Sequence, residues 1–300
     1  MSLRQTLKGT GVALITPFHA NTEVDYDALG RIIDFVIDGG VDYVVTLGTT
    51  GETPTLSKEE KTAIINYTYD KVANRVPVVV GVGGNDTQSL LRDLATLPLD
   101  KAVAILSAAP YYNKPSQEGI FQHYKAVAAA SPKPVILYNV PGRTGRNMSA
   151  ATTLRLAKEP NIIGIKEASG DMVQCMQILK DRTEDFLVVS GDDALVLPQI
   201  ACGMDGVISV AANALPSTFT SMVNDCLKGD YESAKAGNDS LMEAYDLMFA
   251  ENNPAGVKAF MTELGLIQNY LRLPMVPLSK PLHDQVKGYL KNAKPAAVLA

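Results

Sequence analysis

Histidine and cysteine are scarce in this 300-residue chain, three of each, and tryptophan is absent. The cysteines, Cys175, Cys202 and Cys226, lie far apart and form no C-x-x-C pair. An odd, scattered set does not make a disulfide framework and points instead to free thiols in a reducing compartment. His19, His123 and His283 are equally dispersed, and no H-E-x-x-H pattern occurs. A His-rich metal site is therefore not expected. No apolar run approaches the roughly 18 residues needed to span a bilayer. The run near the N-terminus is too short and too interrupted for a signal peptide. These gaps together favour a cytoplasmic protein with no membrane contact. A surplus of positive charge is missing as well. Lys and Arg number 27 against 32 Asp and Glu, a net charge of −5, which does not suit a nucleic-acid-binding surface. Chemistry must then come from Lys, Tyr, Thr, Arg or carboxylates.

What is present is ample apolar material, 46% of residues, for a sizeable core. Short Val- and Ile-rich runs recur near 11–15, 43–47, 77–81, 102–106, 134–138, 162–166, 187–190 and 206–210. Each has the length of a buried strand, and each is followed by a polar or Gly-rich turn and then a helical stretch. In the stretch 25–38, Leu29, Ile32, Ile33 and Val36 share one face, and Ser57-Lys58-Glu59-Glu60 reads as a capping box. Eight β-α units with continuously apolar strands predict a TIM (β/α)8 barrel over 1–228. A doubly wound open sheet is the competing arrangement, but eight units in so short a span suit the barrel better. After Gly229 the strands stop. Helices are predicted over 231–250, 257–264 and 285–292, so 229–300 reads as a small C-terminal helical domain.

In such a barrel the reactive groups sit at the C-terminal ends of the strands. Lys166 closes the run Ile162-Ile163-Gly164-Ile165. By alternation Ile162, Gly164 and Lys166 share a face, with Gly164 leaving room beneath the lysine stem. A lysine inside the barrel is desolvated, so its pKa falls and the neutral amine can form a Schiff base. A solvated lysine at a strand end is the alternative. Tyr138 ends the neighbouring strand, where its phenol either relays protons or anchors the core. Gly48-Thr49-Thr50-Gly51-Glu52 offers backbone N–H groups and two hydroxyls to a small carboxylate, or is an ordinary turn. Arg143, in Pro141-Gly142-Arg143-Thr144-Gly145, either clamps a carboxylate or lies free on the surface. Gly81-Val82-Gly83-Gly84-Asn85-Asp86 only partly matches a dinucleotide fingerprint, and Asp86 looks like a helix cap.

The motifs GTTGE, PYYNKPSQEG, YNVPGRTG, IIGIKEASGD, SGDD and GVISVAAN closely resemble, in order and spacing, the dihydrodipicolinate (4-hydroxy-tetrahydrodipicolinate) synthase family. The resemblance continues into the tail at Asn253-Pro254 and Leu271-Arg272-Leu273-Pro274-Met275. These are pyruvate-dependent class I aldolase-type lyases of lysine and diaminopimelate biosynthesis, and they need no metal or cofactor. The resemblance implies that Lys166 forms the Schiff base with pyruvate and that Tyr138 shuttles protons. It implies that Thr49 bonds Tyr138 and continues the relay to Tyr112, which enters the neighbouring subunit's site. Thr49 and Thr50 would bind the pyruvate carboxylate, and Gly191 and Ile208 would contact pyruvate through their backbone. Arg143 would bind the carboxylate of L-aspartate 4-semialdehyde. The implied assembly is a homotetramer built as a dimer of dimers. N-acetylneuraminate lyase and 2-keto-3-deoxy sugar acid aldolases, the alternative within the superfamily, resemble the chain in fold, lysine and tyrosine, but the sialic acid lyases generally lack an arginine at Arg143. Lysine-inhibited family members typically carry His where Lys61 stands and Glu where Ser89 stands, which implies weak or absent feedback by lysine here.

Overall fold

The computed structural model describes residues 2–292. Eight parallel strands close into a barrel in chain order. They are β1 (Gly9–Ala13), β2 (Tyr43–Thr46), β3 (Val78–Gly81), β4 (Ala104–Ala108), β5 (Val135–Asn139), β6 (Ile162–Glu167), β7 (Leu187–Ser190) and β8 (Gly206–Ser209). Each apolar run of the sequence becomes a strand, and pairing of β8 with β1 removes the open-sheet alternative. Helix α1 (Leu3–Thr6) precedes the barrel. The helices that follow are α2 (Tyr26–Asp38), α3 (Lys58–Val72), α4 (Thr87–Thr96), α5 (Gln117–Ala130), α6 (Pro141–Thr144), α7 (Ala150–Leu156), α8 (Met172–Asp181), α9 (Val196–Ala201) and α10 (Pro216–Lys228).

Local chemistry accounts for the helix starts. Asp25 accepts the Ala28 N–H and opens α2, whose predicted stripe of Leu29, Ile32, Ile33 and Val36 is buried. Ser57 and Glu60 form the reciprocal capping box at α3. Asp86 accepts the N–H groups of Gln88 and Ser89, so the glycine-rich loop after β3 ends in a helix cap.

Strand alternation divides the core into two. Ala13, Tyr43, Val45, Val79, Leu106, Ile136, Leu187, Val189 and Ile208 fill the barrel interior. Val12, Val44, Val80, Ile105, Leu137, Ile165, Val188 and Val207 face the helices. Each such side chain contributes about 1.5–3 kcal/mol on burial, so both layers are strongly held. Two details depart from the periodic reading. β1 begins at Gly9, before the apolar run, because Gly9 and Gly206 let the first and last strands meet. A Cβ on Gly206 would lie 2.0 Å from the Gly9 carbonyl oxygen. β6 is bulged: Val135 pairs with Ile162, but the next residue, Ile136, pairs with Gly164. The extra residue reverses the alternation. Ile162 therefore joins the outer layer and Ile163 packs on the inner one, so Ile162 does not share the face of Lys166.

Among the described residues no strand follows β8. The C-terminal helical region consists of α11 (Tyr231–Phe249), α12 (Ala255–Glu263) and α13 (Lys280–Asn292). α13 starts earlier than position 285 because Pro281 is tolerated in a first helical turn, where its missing N–H has no intrahelical partner to lose. Residues 293–300 of the tail lie outside the described residues. No described helix is long and apolar enough to cross a membrane.

Candidate active site

The parallel register carries Tyr138 and Lys166 to the same level of the barrel, as Cα partners on β5 and β6. Both point inward. Lys166 is 4% exposed, so the solvated alternative is excluded. Its Nζ lies 4.5 Å from the centroid of the Tyr138 ring. Burial pushes the Lys166 amine down to about 8, with Asp193 opposing this and Arg143 adding to it. Burial pushes the Tyr138 phenol up, while the Arg143 charge and a side-chain hydrogen bond with Thr49 pull it back. An amine poised near neutrality beside a protonated phenol can add to a carbonyl and exchange protons as it does so.

Space for the lysine stem comes from Gly191, just beyond β7, not from Gly164. A Cβ on Gly191 would lie 2.8 Å from Lys166 Cε and 3.1 Å from its Cγ. A Cβ on Gly164 would instead strike Leu187. Ile208, one residue before the end of β8, lies in the inner cluster with Val189 and Leu187. Above this layer opens a cavity of about 480 Å³ whose lining includes Thr49, Tyr138, Arg143, Tyr111 and Lys61. Two cationic side chains, Arg143 and Lys61, and the Tyr138 phenol thus line one cavity, a setting for anionic substrates.

Asp193 was not singled out from the sequence, although SGDD marked its strand end. It is buried at the start of the turn after β7. One carboxylate oxygen accepts the N–H groups of Val210 (3.0 Å) and Ala211 (2.8 Å). The other, Oδ1, has no partner. Burial pushes its carboxyl up to about 6, against the bonds from Ala211, Ser209 and Val210 and the charge of Lys166. Near pH 7 it is mostly ionised, a fixed negative charge facing any cation formed on Lys166.

Glu167 points the opposite way from Lys166. Its carboxylate accepts from Ser169 N (2.7 Å), Asn139 Nδ2 (3.0 and 3.2 Å) and Gln174 Nε2 (3.2 Å). These bonds tie β5 to β6 directly behind Tyr138 and Lys166.

The C-terminal region reaches the same mouth. Glu52, which ends the Gly48–Glu52 turn in a left-handed conformation, accepts from Lys258 Nζ of α12 and from the Arg272 N–H at 3.0 Å. Lys258 Nζ also donates to the Tyr270 carbonyl and sits 4.4 Å from the Phe18 ring centroid. Asn253, between α11 and α12, donates from Nδ2 to Thr50 Oγ1 at 2.9 Å. Its carbonyl accepts from Arg143 Nη2 at 3.2 Å.

Seven of the eight expected residues thus gather at the C-terminal end of the barrel: Lys166, Tyr138, Thr49, Thr50, Arg143, Gly191 and Ile208. Tyr112 stands apart. It lies on the loop after β4, 88% exposed, with φ of 70°. A left-handed backbone is costly for a tyrosine and is retained where a loop is held for a purpose. Among the described residues no group of three or more His, Cys, Asp or Glu is arranged to hold a metal ion.

Comparison with known proteins decides the family. Residues 6–293 match the dihydrodipicolinate synthetase family. The chain belongs to that family. A 4-hydroxy-tetrahydrodipicolinate synthase of Parabacteroides distasonis is 50% identical over 287 residues, covering 95% of this chain and 97% of the relative. The dihydrodipicolinate synthase structure from Aquifex aeolicus superposes with a TM-score of 0.93 at 38% identity, covering 98% of this chain and all of the other. A monomeric dihydrodipicolinate synthase variant superposes equally well, with a TM-score of 0.93 at 35% identity, covering 97% and 98%. Family members are pyruvate-dependent lyases of lysine biosynthesis, so the chain is an enzyme of that class. The relatives bear the synthase name that Arg143 led us to expect and lend nothing to the sialic acid lyase alternative.

Proposed function

We propose that the chain condenses pyruvate with L-aspartate 4-semialdehyde through an imine on Lys166. The observation that carries this reading is the buried Lys166 amine, pushed down to about 8 and set 4.5 Å from the Tyr138 ring. The neutral amine adds to the pyruvate keto carbon, water leaves, and a cationic imine forms. Asp193 supplies the countercharge. Loss of a methyl proton gives an enamine, whose terminal carbon attacks the aldehyde. Attack on the imine carbon by water, or by the acceptor's own amine, then frees Lys166. Tyr138 carries protons in the addition and dehydration, oriented by its bond to Thr49. Thr49 and Thr50 meet the pyruvate carboxylate, with the backbone of Gly191 and Ile208 beside it.

This reading has a pH signature. The reactive form is the neutral amine, so imine formation accelerates as pH rises through the lysine pKa. With a pKa of about 8, roughly a tenth of the amine is neutral at pH 7, against about three parts in ten thousand for an ordinary lysine. Stopped-flow rates of pyruvate imine formation should rise with pH and level off above about 8.5. A rate still climbing tenfold per unit at pH 9.5 would show an unperturbed lysine.

Arg143 lines the cavity and is oriented by the Asn253 carbonyl, which suits it to the second substrate's carboxylate. Arg143→Ala should still form the pyruvate imine, while kcat/KM for aspartate semialdehyde falls about 100-fold, as for a lost charge-assisted clamp. An unchanged response to the aldehyde removes Arg143 from this role.

Lys61 lines the same cavity as a cation, and Ser89 offers no carboxylate. Lysine, itself cationic, should leave turnover intact below about 1 mM, since like charges facing each other weaken binding. Half-inhibition at lower concentration contradicts this.

Tyr112, exposed and left-handed in its backbone, fits a residue presented to a second copy of the chain, and the family resemblance carries the further reading of a homotetramer built as a dimer of dimers. The helices α11 to α13 fit a C-terminal domain over 229–300 that braces the barrel mouth. The three free cysteines suit the reducing cytoplasm. An acceptor screen tests the whole reading. With pyruvate as donor, aspartate semialdehyde should be consumed and N-acetylmannosamine should not. The reverse preference would make the chain a sialic acid lyase.

A further inference from the structure

Asn253 touches both carboxylate-binding elements. Its side chain reaches Thr50 and its backbone carbonyl reaches Arg143. It is 4% exposed, and its Oδ1 finds no partner. A buried amide with an unpaired oxygen is an unfavourable arrangement unless the other end of the amide has a task. That task is legible in the donor direction. Because Nδ2 donates, Thr50 Oγ1 is the acceptor in this bond. A hydroxyl has only one proton, and this bond leaves it unused. We propose that Asn253 is a positioning residue that fixes the polarity of the Thr50 hydroxyl, so that its single proton is aimed at the pyruvate carboxylate.

The proposal rests on the pyruvate-binding role given above to Thr50. It makes the C-terminal region part of the donor site rather than only a brace for it. Two anchors hold Asn253 in register with the Thr49-Thr50 turn. Lys258 and Arg272 grip Glu52, which ends that turn, and Arg272 also forks onto Glu60 of α3. The Arg143 contact uses the main chain, so changing the side chain of Asn253 leaves it in place. Side-chain variants therefore separate the two substrates.

The decisive variant is Asn253→Asp. The introduced carboxylate accepts only, so the Thr50 proton turns away from the site and toward the new anion. The pyruvate KM should rise about 30-fold or more, beyond the loss of a neutral hydrogen bond, while the semialdehyde KM changes less than about threefold. Asn253→Ala, which leaves the hydroxyl free to rotate, should raise the pyruvate KM by a smaller factor, about three- to tenfold. It also serves if the aspartate variant does not fold. In a Thr50→Val background, neither change at Asn253 should alter the pyruvate KM further. An Asn253→Asp enzyme with native pyruvate KM would mean that the amide accepts from Thr50, and would overturn the proposal. So would an equal rise in both KM values, or effects in the Thr50→Val background as large as in the native one. Borohydride trapping of the native enzyme with pyruvate separates this outcome from failure of the functional reading. An adduct with no Asn253 effect rejects only the positioning role, whereas absence of an adduct rejects the reading beneath it.

Discussion

Lys166→Ala is expected to fold and to lose turnover by a factor on the order of 10⁴–10⁶, the scale seen when a covalent nucleophile is removed. No other amine can take its place. Among the described residues Lys258 is the other buried lysine, and its nitrogen is spent on Glu52 and the Tyr270 carbonyl. Lys61 reaches the cavity from α3, outside the barrel wall. Stability should change little, for reasons that oppose each other. The folded-state pKa of Lys166, about 8, lies below the ordinary value of 10.5. The ammonium is thus destabilising in the fold at pH 7, fully so below about 8, and the cost fades as pH rises toward 10.5. Alanine removes that cost and leaves a small void at the mouth. The Tm should remain within about 5 °C of the native value. A variant that has lost activity and also unfolds earlier by tens of degrees would leave the nucleophile role unsupported. A variant that retains native activity would refute it.

Tyr138→Phe carries the second large effect. The ring that flanks Lys166 Nζ is kept and only the hydroxyl is lost. Loss of the hydroxyl also loses its bond with Thr49, which costs the fold about 1 kcal/mol. The chemistry loses more. Addition of an amine to a ketone moves a proton onto oxygen, and dehydration needs a second proton. A positioned acid–base group contributes about 10²–10⁴-fold to such steps. We expect kcat to fall by that range, with pyruvate still bound and its imine still formed, but slowly. Stopped-flow imine formation checks it, and a native rate would assign Tyr138 to the core alone. Thr49→Val, which removes the bond that orients the phenol, should fall between native and Tyr138→Phe.

The barrel was legible because each strand is buried on both faces and so appears as an uninterrupted apolar run. Lys166 and Tyr138 were legible as candidates because both end such runs. What the runs concealed were departures from strict period two. The bulge at Ile162–Ile163 has no signature in hydrophobicity, and it moved Ile162 to the outer layer while leaving Lys166 inside. The room for the lysine stem likewise comes from a neighbouring strand, through Gly191, and not from the glycine two residues before it. The supporting residues were invisible for another reason. Asn253 meets Thr50 across 203 positions of sequence, and Lys258 meets Glu52 across 206. Nothing local announces either contact. Asp193 lies inside a motif that was recognised, but only its burial beside Lys166 gives it an electrostatic role. Tyr112 shows the converse: the motif marks it, yet within one chain its side chain lies exposed on the loop after β4.

Reduction with borohydride in the presence of pyruvate tests the Lys166 imine most directly. The peptide that contains Lys166 should gain the mass of one pyruvic acid less one oxygen atom, and no other lysine peptide should change. The gain should vanish when pyruvate is omitted and in Lys166→Ala. An unmodified Lys166 peptide from active enzyme, or a stable adduct on a different lysine, would contradict the account.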